Sequence, residues 1–111
     1  MDSVAEFRHI VRAIITDYAR FKPSVGNVDV EVVFDESNDH YELLQNGWIG
    51  MNRIEGSVIH IDIRDGKIWV QYDGTSEPVA DELVAAGIPK DAIVLGFHPA
   101  EVRRHTGFAT G

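Results

Sequence analysis

The sequence predicts a two-layer α+β domain, in which an antiparallel sheet packs against a long N-terminal helix and shorter C-terminal helices. Two observations predict this class. An amphipathic helical pattern comes first, and a run of strand patterns with one strong hairpin turn follows before helical patterns return. Strands joined by hairpins pair antiparallel, and helices outside such a run pack on the sheet. No repeat or linker interrupts the 111 residues, so we expect a single domain over residues 1–111.

The N-terminal helix is indicated by apolar side chains that recur at helical spacing between Val4 and Tyr18. Charged residues such as Glu6 and Arg12 lie on the other side of this helix. Proline cannot continue a helix, so we expect the helix to end before Pro23. The apolar stripe is interpreted as the surface that packs on the core.

Strand patterns follow the helix. Residues 28–34 alternate between apolar and polar side chains over most of their length, and residues 41–48 form a second candidate strand. Gly50-Met51-Asn52 is the favoured turn after that strand, because it leaves a longer partner for the hairpin that follows.

The clearest element is a β-hairpin from Val58 to Tyr72. Its turn is predicted at Asp65-Gly66, because both central positions of a type I′ turn need a positive φ. The pairs expected on one face are all apolar: Ile63 with Ile68, Ile61 with Val70, and Ile59 with Tyr72. The pairs expected on the other face are Asp62 with Trp69 and His60 with Gln71.

Helical patterns return after the hairpin. Either Thr75 or Ser76 is expected to cap a second helix, and Gly87 is expected to end it. Residues 89–92 favour a short helical turn, and residues 99–104 favour a short final helix.

Charge and composition exclude several classes of function. The net charge is −8 with only ten Lys and Arg, whereas DNA affinity depends on clustered cations. We therefore expect a protein partner and no direct DNA binding. The absence of cysteine excludes thiolate chemistry and Cys-ligated metals. No apolar run is long enough to span a membrane, and the acidic N-terminus does not resemble a secretory signal, so we expect a cytoplasmic protein.

No motif predicts a catalytic or metal site. His60 and Asp62 share one face of the hairpin, but a metal site needs a third ligand, and the spacing places neither His40 nor His98 beside them. The serines lack a nucleophile-elbow motif, and the glycines do not form a phosphate-binding loop. We therefore predict no catalytic residue, no metal and no cofactor.

The polar face of the hairpin is the first candidate for a protein interface. Trp69 would be exposed there unless helices or a second subunit cover it, and exposed aromatics mark interfaces. We therefore predict a homo-oligomer, specifically a dimer. The aromatic residues of the C-terminal tail either fold back onto the core or form a docking surface, and both can hold together. The predicted interface consists of His60, Asp62, Trp69, Gln71, Phe97, His98 and Phe108.

Arg103-Arg104-His105 is the one dense basic segment of the sequence. It is either a small phosphate-contacting patch or, as is more frequent for such a triplet, a solvated part of the tail. The acidic remainder of the chain would restrict any DNA contact to DNA that a partner already holds.

Blocks spread along the whole chain resemble one known family. The hairpin supplies Ile59-His60-Ile61-Asp62-Ile63, Asp65-Gly66-Lys67-Ile68-Trp69-Val70 and Gln71-Tyr72-Asp73-Gly74-Thr75. The earlier blocks are Lys22-Pro23-Ser24, Phe34-Asp35, Asp39-His40-Tyr41 and Gly47-Trp48. The later ones are Gly87-Ile88-Pro89, Ile93-Val94-Leu95-Gly96-Phe97-His98-Pro99 and Thr106-Gly107-Phe108-Ala109. They resemble XisI, the fdxN-element excision controlling factor proteins of cyanobacteria and related bacteria.

The resemblance implies an accessory role in programmed DNA excision. A separate recombinase cuts the DNA in that system, and XisI-like proteins act with a companion, XisH, which resembles nuclease-fold proteins. The expected function is therefore a non-enzymatic controlling factor that binds an XisH-like partner. Two alternatives stay open: an inhibitor or antitoxin-like partner of a nuclease, and a small hydrolase that uses His60, Asp62 and another histidine.

Overall fold

The computed structural model describes residues 3–21 and 26–111 and confirms the predicted α+β class. Within these described residues, five strands form one sheet in the order β1-β2-β3-β4-β5. The helices are α1 (Ser3–Tyr18), α2 (Val79–Ala85) and α3 (Ala100–Arg103), with a 3₁₀ turn at Lys90–Ala92. The strands are β1 (Asn27–Asp35), β2 (His40–Ile49), β3 (Asn52–Arg64), β4 (Lys67–Asp73) and β5 (Ile93–Leu95). The block Lys22-Pro23-Ser24 lies outside the described residues.

The sheet is antiparallel from β1 to β4 and parallel at its last pair, so it is mixed where a wholly antiparallel sheet was predicted. Strand β5 runs parallel to β4, with Trp69 opposite Val94. A parallel neighbour requires a crossover, and α2 with the loops around it provides that connection. The sequence patterns of residues 93–95 are too short to indicate the direction of this edge strand.

Helices α1 and α2 cover one face of the sheet and form the core with it. Within the described ranges, no helix is long and apolar enough to cross a lipid bilayer. The helical contribution to the core comes from Phe7, Val11, Ile15, Val79, Ala80 and Leu83. Strand β5 contributes Ile93 and Leu95, and strands β2 to β4 contribute Tyr41, Leu43, Ile59, Ile61, Ile63, Ile68 and Val70. These alternate positions confirm the predicted apolar face up to Val70.

The predicted hairpin register is correct near the turn and wrong at the open end. Asp65 and Gly66 both have positive φ, as the turn requires. A one-residue bulge at Gln71 then places His60 opposite Tyr72 and Ile59 opposite Asp73. A bulge shifts every later residue to the other face. Tyr72 is therefore 49% exposed rather than part of the core.

The same bulge provides the cap of α2. Asp73 turns toward that helix, and its Oδ2 accepts a hydrogen bond from the Val79 N–H at 2.8 Å. The predicted cap at Thr75 or Ser76 is wrong, because the Thr75 N–H itself donates to Asp73 Oδ1. Gly87 ends the helix as predicted, with a φ of 102° that suits glycine.

Candidate functional site

A second bulge brings three polar side chains together on the face of the sheet opposite α1 and α2, which we call the open face. Val58 is the extra residue in β3, between the pairs Leu43–Ile59 and Leu44–Ser57. Beyond it, His40 lies directly opposite Asp62. His60 precedes Asp62 by two residues and so shares its face. We call His40, His60 and Asp62 the His–Asp cluster.

Both imidazoles of the His–Asp cluster contact the same carboxylate oxygen. His40 Nδ1 lies 2.7 Å from Asp62 Oδ1, and His60 Nε2 lies 2.9 Å from it. A carboxylate only accepts hydrogen bonds, so each imidazole presents an N–H to it. The other oxygen, Oδ2, accepts from Gln71 Nε2 at 3.2 Å. The bulge at Gln71 therefore adds a side chain to the cluster. Gln71 contacts Asp62, whereas the sequence paired it with His60.

A second carboxylate lies behind His60. Glu42 Oε1 is 3.7 Å from His60 Nδ1, which is within ion-pair range but longer than a hydrogen bond. The Ser57 hydroxyl donates to the same Glu42 oxygen at 2.8 Å. Glu42 is thus held in place beside the imidazole edge that points away from Asp62. The hydroxyl bonds a carboxylate and no imidazole, so it is not arranged as a nucleophile with a general base.

Burial and charge act in opposite directions on Asp62. The side chain is only 8% exposed. Burial raises the pKa of Asp62, but hydrogen bonds from His40 and His60 outweigh that effect and hold the pKa below its ordinary value. The same hydrogen bond, with the nearby negative charge, raises the pKa of His40. The His–Asp cluster is thus an ionised, nearly buried carboxylate with two imidazoles at its solvent side.

From the sequence, His40 was a possible third ligand but could not be placed beside His60 and Asp62. Glu42 was not predicted as part of the site. Counting back from the turn at Gly50 and Met51 puts His40 opposite Ile61, a polar residue against a core position. That conflict between turn register and apolar pattern is the signal of a bulge, and the bulge at Val58 resolves it. His98 lies outside the cluster in the described part of the chain.

Trp69 is partly covered by the protein's own hairpin and C-terminal tail and remains partly exposed. The guanidinium groups of Arg64 and Arg103 lie over its ring, 4.6 and 5.5 Å from the centroid. Gly96 packs closely against the ring and against Gln71, since a Cβ there would lie 3.2 Å from the Trp69 ring. Since a dimer was predicted to cover an exposed Trp69, the partial cover within one chain weakens the reason for it. The dimer itself stays a prediction.

The tail residues divide into two groups. Phe108 packs against the core, and the Lys90 ammonium lies 5.6 Å from its ring centroid. Phe97 is 45% exposed and contacts His98 through its ring. Of the two predicted roles, Phe108 has the structural one, and Phe97 remains accessible to a partner.

The three residues of the basic segment also differ in their contacts. Arg103 donates to the carbonyl oxygens of His98 and Thr110, so it holds the tail together. Arg104 pairs with Glu101 at 3.2 Å and is exposed, like His105. Only the last two side chains of the triplet are positioned to meet a ligand.

Comparison with known proteins assigns the family. The XisI protein family model matches residues 1–110, which is nearly the full chain. The chain belongs to the XisI family. The family resemblance predicted from the sequence is therefore confirmed.

Two solved structures resemble this XisI family member closely. A XisI-like protein from Anabaena variabilis is 37% identical, with a TM-score of 0.89, and the match covers 96% of this chain and 98% of that one. The fdxN element excision controlling factor XisI from the same organism is 35% identical, with a TM-score of 0.85, covering 99% and 100% of the two chains. No curated protein matches this chain. The family and these relatives support a role in the control of element excision.

Proposed function

We propose that this protein is a non-enzymatic controlling factor for excision of a DNA element and that it acts in the cytoplasm by binding an XisH-like companion. The observation that carries the proposal is the family membership, together with 35% identity over the full length of an excision controlling factor. A controlling factor regulates another protein's reaction, and a partner-binding role agrees with a His–Asp cluster that lacks an activated nucleophile.

Charge favours a protein partner over DNA. The net charge of −8 repels the phosphate backbone but suits a companion with a basic DNA-binding surface. Complementary charge of this kind mainly accelerates association and weakens with salt. We therefore expect the complex to weaken as the salt concentration rises.

The open face offers the best contact surface. Val33, Glu42, His60 and Tyr72 form one row across four strands, by their register. The row has an apolar side chain at each end, since Val33 and Tyr72 are both exposed. Phe97 follows Gly96, which packs on Gln71, so it lies near the Tyr72 end of the row. Exposed aromatics beside charged side chains are typical of interface anchors.

Co-purification tests the partner. The tagged protein and an XisH-like companion are co-expressed and captured at moderate salt, and the complex is expected to elute together and to dissociate as salt rises. Absence of a complex at every salt concentration would refute the proposal. A nuclease assay on the same complex separates the inhibitor alternative, which requires this protein to lower the companion's activity.

A pair of surface variants tests the contact surface. Tyr72→Ala and Phe97→Ala, combined, are expected to weaken the complex by about 10-fold or more, since truncated aromatic anchors typically cost over 1 kcal/mol each. Met51→Ala is the control, because Met51 is 93% exposed at the distant β2–β3 turn. If the double variant and Met51→Ala bind the companion equally well, the interface does not include the Tyr72 end of this row.

A further inference from the structure

We propose that the His–Asp cluster is a binding site for one divalent transition-metal ion of the Zn²⁺ type, with His40, His60 and Asp62 as its protein ligands. This site is independent of the proposed excision role, so each can fail without the other. The sequence predicted no metal, because only two of the three ligands could be placed together.

The ligand set fits such an ion. Among the described residues, these three side chains form the group that can present one ligand atom each, all within 4.8 Å of one another. Two imidazoles and a carboxylate suit Zn²⁺ and its neighbours in the first transition row, whereas Mg²⁺ and Ca²⁺ prefer oxygen ligands. Three protein ligands leave the remaining coordination positions to water or substrate.

The distances require the two imidazoles to move around a fixed carboxylate. The two histidine nitrogens lie 2.7 and 2.9 Å from Asp62 Oδ1 because each currently shares a proton with it. Ligands at about 2.0 Å from a tetrahedral Zn²⁺ lie about 3.3 Å from each other. An ion that replaces the shared protons therefore needs each nitrogen to move about half an ångström away from Asp62 Oδ1. The two nitrogens, which lie within 4.8 Å of each other, must also come to the same spacing. The His40 side chain is 52% exposed and free to make that movement.

The surrounding side chains already orient the ligands. Gln71 holds Asp62 Oδ2, which aims Oδ1 at the two imidazoles. Glu42, fixed by Ser57, lies 3.7 Å from His60 Nδ1. In the metal-bound form we expect this contact to shorten to a hydrogen bond from Nδ1–H to Glu42, so that the Nε2 lone pair faces the ion, as in carboxylate–histidine–metal arrangements.

Charge and access also favour a cation. Asp62 is nearly buried, and its ion-pair partners in the described chain are the two imidazoles. Glu42 adds a second negative charge behind His60. A divalent ion would compensate both carboxylates, and the exposed imidazoles leave it an open path from solvent.

Direct metal binding is the test. The full chain is freed of metal with a chelator and titrated with Zn²⁺ by calorimetry, and with Co²⁺ by absorption spectroscopy to report the ligand field. One ion per chain is expected, with no comparable heat from Mg²⁺ at the same concentration. His40→Ala and His60→Ala should each weaken Zn²⁺ binding by more than about 100-fold, since losses in the surrounding shell alone reach about 10–100-fold.

Matched variants distinguish this site from surface histidines. His9→Ala is the control, because His9 is exposed on α1 and lies outside the cluster. It should bind Zn²⁺ like the unmodified protein, and Gln71→Ala should lose about 10-fold. His40→Ala is expected to fold, since that side chain is half exposed, and circular dichroism checks this. Unmodified protein that binds no stoichiometric Zn²⁺, or His40→Ala and His60→Ala that bind normally, would show a hydrogen-bonded network only.

Discussion

Asp39 joins the N-terminal helix to the sheet. Its carboxylate accepts two hydrogen bonds from the Arg8 guanidinium, at 2.7 and 3.0 Å, and a third from the Tyr41 hydroxyl at 2.8 Å. The Arg8 hydrogen bond outweighs burial and lowers the pKa of Asp39. Burial and the bond to Asp39 raise the pKa of Tyr41 to about 12. The carboxylate is therefore ionised and the phenol neutral when they bond.

Replacing Asp39 by asparagine should lower the free energy of unfolding by about 1.5–3 kcal/mol, the usual range for hydrogen bonds to a charged group. Asparagine tolerates the positive φ of this position, so the change isolates the charge. Urea denaturation measures the loss. Glu36→Gln is the control: Glu36 also pairs with an arginine of α1, Arg12, at 2.6 Å, but it is 61% exposed, so the cost should be about 0–1 kcal/mol. Equal losses in both variants would contradict the argument.

At the scale of elements, two bulges decide what the open face contains. The bulge at Val58 sets His40 opposite Asp62, and the bulge at Gln71 brings an amide to Asp62 and exposes Tyr72. Each bulge reverses the face to which the side chains beyond it point. The side chains near the turn keep the predicted alternation. The open face is therefore a product of register more than of composition.

Turn residues and alternation predicted the strands, the hairpin turn at Asp65-Gly66 and the end of α2 at Gly87. They did not place the bulges, because a bulge adds one residue and carries no fixed residue type outside glycine forms, so only a conflict between turn register and apolar pattern reveals it, as at Val58. The three residues of β5 were equally undetermined, since their direction depends on a crossover. The His–Asp cluster depends on the bulge at Val58, so the sequence placed His60 and Asp62 on one face but could not place His40 beside them.

The capping of α2 tests the register of β4. Asp73→Ala should lower the free energy of unfolding by about 1–2 kcal/mol, because it removes the acceptor of the Val79 N–H. Ser76→Ala should change it by less than about 0.5 kcal/mol, as expected of an exposed side chain. Thermal and urea denaturation measure both values. The reverse order would restore Ser76 as the cap and would require Tyr72 to face the core.

At the scale of the whole molecule, the C-terminal segment is part of the fold. The Ala109 N–H donates to the Ile93 carbonyl at 2.8 Å, and Ala109 forms an isolated parallel bridge with Val94. Val94 and Trp69 are neighbours in the sheet, and Arg103 lies over the Trp69 ring. The tail therefore closes the open face at the β4–β5 edge and leaves the His–Asp cluster and the row from Val33 to Tyr72 uncovered.

Two phenylalanines of this segment are expected to have different roles, Phe108 in stability and Phe97 in recognition. Phe108→Ala should lower the free energy of unfolding by about 2 kcal/mol or more, less than the 3–5 kcal/mol typical of a fully buried phenylalanine because Phe108 is only partly buried. The loss of its packing should also loosen the tail over Trp69 and shift tryptophan emission to longer wavelength, measured with Trp48→Phe to remove the exposed second tryptophan. Phe97→Ala should cost less than about 1 kcal/mol and leave the emission unchanged, because its ring is half exposed. A stable Phe108→Ala protein with unchanged emission would show that the tail is not held by this packing, and Trp69 would again be available to a second subunit.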